Sequence, residues 1–181
     1  MKRLILVLVL ALPHLTPALT DEAAIAPDWT LTATDGRSVN LDQEVRKKAT
    51  ILFFWATWCP YCKALMPHLQ SIRLEYGGDV QILAINIKED GDAEGFIRKS
   101  GYDFTLLLDG DEVADLYKVT GTPGVLIVDD ERLIRFDLRR LPRIDPPDTG
   151  IPVTNSSRAA YLAPYWAAAI RKSLDALTFA R

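Results

Sequence analysis

The chain is poor in the residues that build metal centres. Its 181 residues hold two cysteines, two histidines (His14 and His68) and two methionines. A structural zinc site takes about four protein ligands, so no metal is expected, and no other cofactor is implied. An excess of positive charge is also missing: 21 Lys and Arg stand against 24 Asp and Glu, a net charge of −3 with no basic run. That balance argues against nucleic acid as a partner. The apolar run at the start, Leu4–Leu12, is nine residues long, short of the ~20 that span a bilayer. Internal repeats and low-complexity tracts are absent, which excludes solenoid and array architectures.

What is present begins with a leader-like segment. Lys2 and Arg3 precede the apolar run, and small and turn-forming residues follow it, the layout of a secretory signal peptide over residues 1–20. Cleavage between Ala18 and Ala24 is expected, with an uncleaved membrane anchor as the alternative. Loss of Lys2 and Arg3 would take the net charge to −5. The remainder is one domain by length, and its 49% hydrophobic composition is enough for a full core without disulfide staples.

From Ala26 onward strand and helix patterns alternate. Trp29, Leu31 and Ala33 alternate with polar residues ahead of Asp35-Gly36, a hairpin signal. Residues 50–56 and 80–87 are short continuous apolar runs, as in strands buried on both faces. Between them, apolar residues at 65, 66, 69, 72 and 76 keep helical spacing up to Gly77-Gly78. Further on, 92–100 reads as a helix, 103–109 as a strand, 111–119 as a short helix, and 124–130 with 132–138 as a hairpin. The order argues an α/β sheet whose first crossover is parallel. Residues 141–157 contain four prolines and read as irregular surface chain. Beyond them Leu162, Trp166, Ile170, Leu174 and Leu177 mark a helix, with Pro164 in its first turn or at a break. The charged stretch 88–95 reads as a solvated loop.

Both cysteines lie in one stretch, Trp58-Cys59-Pro60-Tyr61-Cys62. A crosslink across so small a loop would remove little chain entropy from the unfolded state, and a metal would lack ligands. A redox couple remains. Cys59 falls where the strand ends and the helix begins, and Pro60 suits the first helical position. The free N–H groups and the dipole of that helix favour a Cys59 thiolate. Cys62, one turn inside, is shielded. Cys59 is therefore expected to attack from an exposed turn and Cys62 to resolve the mixed disulfide.

These residues resemble the active site of the thioredoxin superfamily. Pro67 matches the proline that kinks its first helix, and Thr122-Pro123-Gly124 matches its cis-proline loop. The leader, the segment from Ala26 and a helix–strand pair inserted before Pro123 resemble the TlpA/ResA-like branch, bacterial extracytoplasmic thiol–disulfide reductases. The likeness runs from about Ala26 to Leu138. It implies an α/β thioredoxin-like fold over residues 26–140 with an N-terminal β-hairpin extension, the inserted helix–strand, and an atypical C-terminal helix. Residues 141–181 would form a proline-rich segment and a helix packed on the domain. Trp58, Pro60, Tyr61, Thr122 and Pro123 would contact substrate. Two departures stand out: Phe53 replaces the buried aspartate of cytosolic thioredoxins, and Leu65 replaces a glutamate of ResA-like members.

The resemblance implies dithiol–disulfide exchange that reduces particular partners, such as those of cytochrome c or respiratory oxidase maturation. The expected partners are cysteine-containing exported proteins and a membrane or soluble thiol donor, with the chain itself a monomer. The alternatives are an oxidase or isomerase of exported proteins and a copper-binding assembly factor of related fold. A third, from a different class, is an interaction module with a vestigial couple.

Overall fold

The computed structural model describes residues 23–150 and 152–178, so the leader lies outside the described residues. The fold is organised by β3 (Ala49–Trp55), which is buried along its whole length. Successive side chains of a strand point to opposite faces, and here both faces are apolar. Ile51, Phe53 and Trp55 enter one core, and Leu52 and Phe54 enter the other. β3 pairs in parallel with β4 (Val80–Asn86) and antiparallel with β6 (Gly124–Val128). With β5 (Thr105–Leu107) beyond β4 and β7 (Ile134–Asp137) beyond β6, the sheet order is β5-β4-β3-β6-β7.

The hairpin forms where the alternating pattern placed it. β1 (Thr30–Thr32) pairs with β2 (Ser38–Asn40), and Gly36 adopts φ 85°, a left-handed turn conformation open to glycine. Asn40 then caps the short α1 (Leu41–Val45) by accepting the Gln43 N–H at 3.1 Å. The lead-in segment is pinned by Tyr117, whose hydroxyl donates to the Pro27 carbonyl at 2.7 Å and accepts from the Trp29 indole at 3.1 Å. The inserted pair is also present. α3 (Ala93–Ser100) and β5 lie between β4 and α4 (Asp111–Leu116), and β5 extends the parallel edge of the sheet.

One face of the sheet carries α2 (Pro60–Glu75) and α5 (Asn155–Thr178). α2 buries Cys62, Leu65, Met66, Leu69 and Ile72, and α5 buries Ala167, Ile170 and Leu174 in the same core. Polar links join the far ends of the two helices: the Tyr76 hydroxyl donates to Asp175 at 2.6 Å, and Arg171 Nε donates to Glu75 at 2.7 Å. The sequence pattern put Pro164 in the first turn of α5 or at a break. It instead sits well inside a helix that runs through it. A proline there removes a hydrogen bond to the carbonyl four residues earlier. That residue is Ala160, and both positions lie on the exposed side of the helix.

Ile170 is fully buried between α5 and the core under α2. Ile170→Ala should therefore destabilise the chain by about 2–5 kcal/mol, read as a lower urea midpoint. A change within about 0.5 kcal/mol, the range of ordinary surface substitutions, would mean that α5 does not fold as part of the same unit.

Candidate active site

The parallel register sets Trp55, the last residue of β3, beside Asn86, the last residue of β4. The antiparallel register sets Phe54 beside Gly124, the first residue of β6. The chain segments that leave β3 and β4 and the one that enters β6 therefore meet at one edge of the sheet. Gly124 is needed there: a Cβ on it would lie 2.7 Å from Val119 and 3.2 Å from Phe54.

Cys59 and Cys62 form a disulfide with their Cα atoms 5.3 Å apart. Cys59 is the N-cap of α2, and its Sγ accepts the Cys62 N–H at 3.1 Å. Pro60 occupies the first turn, where its missing N–H is not needed. A sulfur that accepts a helix N–H is stabilised as an anion. The expectation of an exposed Cys59 is corrected: the residue is 1% exposed in the disulfide, and Cys62 is fully buried. Both cysteines belong to the buried apolar cluster that holds Trp55 and Leu65, with Tyr61 packed against it. Phe53 and Leu65 are fully buried members of that apolar layer. At the positions where the resembling families place an acid, this chain has hydrocarbon, in the same buried cluster as Cys62.

The loop that holds the couple is fixed by a partner the sequence did not reveal. Glu89 accepts from the Thr57 N–H at 2.9 Å, the Thr57 hydroxyl at 2.5 Å and the Asn86 amide at 2.6 Å. It also accepts the backbone N–H groups of Asp90 and Gly91. Burial opposes its ionisation, but these hydrogen bonds outweigh that effect and hold its pKa down at about 2. The 88–95 stretch is exposed at Lys88, Asp90, Gly91 and Asp92, as a solvated loop would be, but Glu89 makes it a clamp and from Ala93 it enters α3. Trp58 lies next to this clamp, 49% exposed, and its indole N–H donates to the Lys88 carbonyl at 2.7 Å. Lys88 Nζ in turn donates to the Thr120 carbonyl at 2.8 Å, joining the clamp to the segment before Pro123.

The Thr122–Pro123 peptide is cis. Thr122, Pro123 and Tyr61 line a common cleft with residues of the C-terminal segment. Tyr61 is half-buried and packs on Trp166 of α5 with ring centroids 6.1 Å apart. The helical spacing around Trp166 fits packing on the sheet, with partner binding as the alternative. The place of Trp166 beside the couple had no sequence signal, because the contact joins residues 105 positions apart.

The AhpC/TSA family matches residues 23–137. The chain is 30% identical over 118 residues to the thioredoxin-like protein YneN of Bacillus subtilis, covering 63% of this chain and 69% of that protein. It is 31% identical over 113 residues to the thiol-disulfide oxidoreductase ResA of the same organism, covering 61% and 63%. The alignment thus spans about two thirds of the length of these relatives. A crystal structure from Chlorobium tepidum, of a candidate thiol:disulfide interchange protein DsbE, superposes with a TM-score of 0.58 at 28% identity. That likeness covers 65% of this chain and 84% of the other.

Two outcomes follow from this geometry. In the reduced protein, Cys59 should be the more reactive thiol and titrate below the ~8.5 of free cysteine, measured by alkylation rate against pH. Equal reactivity of both thiols at or above that value would overturn the assignment. Glu89→Gln should lower stability at neutral pH. Because the folded-state pKa of Glu89 is depressed, its contribution is complete above the ordinary value of 4.5. It should vanish as pH falls towards about 2. The gap between wild-type and variant urea midpoints should close over that window.

Proposed function

The chain belongs to the AhpC/TSA family and, with its ResA-like relatives, to the thiol–disulfide oxidoreductases, and on that premise we propose that it reduces the disulfides of particular exported proteins. The observation that supports this most directly is the Cys59–Cys62 disulfide at the N-terminus of α2, with Cys59 Sγ accepting a helix N–H.

In the proposed cycle the dithiol form is the reductant. The Cys59 thiolate attacks one sulfur of the partner's disulfide, forming a mixed disulfide and releasing the other partner sulfur as a thiolate. The Cys62 thiol loses its proton and attacks Cys59 Sγ, and the second partner sulfur leaves as a thiol. Two electrons pass to the partner, and Cys59–Cys62 is left as the disulfide. An external dithiol donor, membrane-bound or soluble, restores the reduced form by the reverse exchange. With Phe53 and Leu65 in place of acids, the proton on Cys62 must leave to water or to a group on the partner. Thr122 and Pro123 would offer backbone to an extended partner segment, in the manner of strand addition.

The leader-like residues 1–20 support an extracytoplasmic site of action, where exported partners form disulfides. Among the described residues no helix is long and apolar enough to cross a membrane. Partners of the kind matured for cytochrome c or respiratory oxidases would suit a dedicated reductase.

The test is trapping. Cys62→Ser, expressed with its leader, should accumulate reductant-sensitive adducts with one or two exported proteins, because no internal thiol remains to release them. Cys59→Ser should accumulate few. Adducts with many unrelated proteins would favour an oxidase or isomerase, and no adducts at all would leave an interaction module.

A further inference from the structure

The cleft beside the couple has an unusual origin. Its inner wall is Tyr61 and Pro123, from the family fold, and its outer wall is Leu141, Ile144, Leu162 and Trp166. All four outer residues lie beyond residue 137, where the family match ends. The cleft has a volume of about 370 Å³, within the ~300–1,000 Å³ typical of ligand sites. Its wall is mainly apolar. The two arginines at its edge are engaged: Arg139 binds Asp137 and the carbonyls of Tyr117 and Lys118, and Arg143 pairs with Asp145. Ile144 remains 36% exposed at the mouth.

The geometry points to a specificity subsite: the C-terminal segment forms a pocket for one large apolar side chain of the partner, carried on the same extended segment as the target cysteine. The inference rests on the exchange proposed at Cys59–Cys62. Its occupant follows from continuity. The pocket shares Tyr61, Thr122 and Pro123 with the reactive site, so a chain lying along the Thr122–Pro123 backbone passes its mouth. In an extended chain, side chains two residues apart lie on one face. A cysteine turned towards Cys59 therefore turns its neighbour at that spacing towards the same surface. Arg139 is committed to Asp137 and two carbonyls, and Arg143 stands at the rim, 83% exposed and held to Asp145 through Nε, so the wall itself is hydrocarbon and selects leucine, isoleucine or phenylalanine.

The test uses the reduced full chain and two synthetic peptides. Each carries one central cysteine as a mixed disulfide with 2-mercaptoethanol, and either leucine or serine at both positions two residues from it. Every rate is referenced to the same protein's rate with hydroxyethyl disulfide. Wild type should react about tenfold faster with the leucine peptide, in the range by which apolar pockets discriminate. Ile144→Glu should bring the ratio near one, and Ile144→Leu should keep it. A ratio near one in wild type, or full discrimination in Ile144→Glu, would overturn the subsite while leaving the exchange reading intact. A separate arm titrates the oxidised protein with the leucine peptide, its cysteine replaced by serine, and follows tryptophan emission in wild type and Trp166→Phe. Saturable binding with a signal lost in Trp166→Phe supports the subsite even if no disulfide is exchanged, in which case the oxidoreductase reading alone falls. Absence of binding and of exchange removes both.

Discussion

The burial of β3 on both faces is the constraint from which the rest of the architecture follows. Seven residues with no exposed side cannot lie at a surface or an edge, so the strand needs a partner on each side and a layer on each face. β4 and β6 supply the hydrogen bonds. α2 and α5 cover Ile51, Phe53 and Trp55, and the hairpin and α4 cover Leu52 and Phe54. Because β4 runs parallel to β3 and β6 runs antiparallel, the exits of the first two and the entrance of the third share one edge. Crevices at the carboxyl ends of parallel strands are the usual place for sites in such sheets. The position of the couple is a consequence of strand direction.

At that edge the structure separates two tasks. The chemistry belongs to a backbone feature, the N-terminus of α2, which offers an N–H to Cys59 Sγ at 3.1 Å. The positioning belongs to Glu89, which takes five hydrogen bonds from the loops around it and holds Thr57 next to the couple. An ionised carboxylate in that setting is a strong acceptor, so the clamp is firm while contributing no atom to the exchange. The hydrocarbon around Cys62 has the opposite character. It encloses Cys62 in a fully buried layer with Phe53 and Leu65.

The C-terminal helix serves the fold and also borders the couple. In packing terms α5 is the second helix on one face of the sheet, tied to α2 by Ile170, Leu174 and the Tyr76–Asp175 hydrogen bond. At the middle of the same helix Trp166 reaches Tyr61, between the two cysteines. One element therefore both packs on the sheet and borders the couple. The segment that carries Trp166 lies outside the family match, which ends at residue 137.

Much of this was legible in the residues. The continuous apolar runs gave β3 and β4, the helical spacing gave α2 and α5, and Asp35-Gly36 gave the hairpin, because local periodicity reports which faces must be buried. The pairing of Cys59 and Cys62 at a strand-to-helix turn could be read from four adjacent positions. The sequence by itself therefore determined the couple, the layered fold and the polarity of the reactive helix. The roles of Glu89, Lys88 and Trp166, the burial of Cys59 and the unbroken course of α5 through Pro164 were decided only by tertiary structure. The reason is physical: Glu89 and Trp166 act on residues 32 and 105 positions away, and no local pattern records which distant segment a fold will bring alongside.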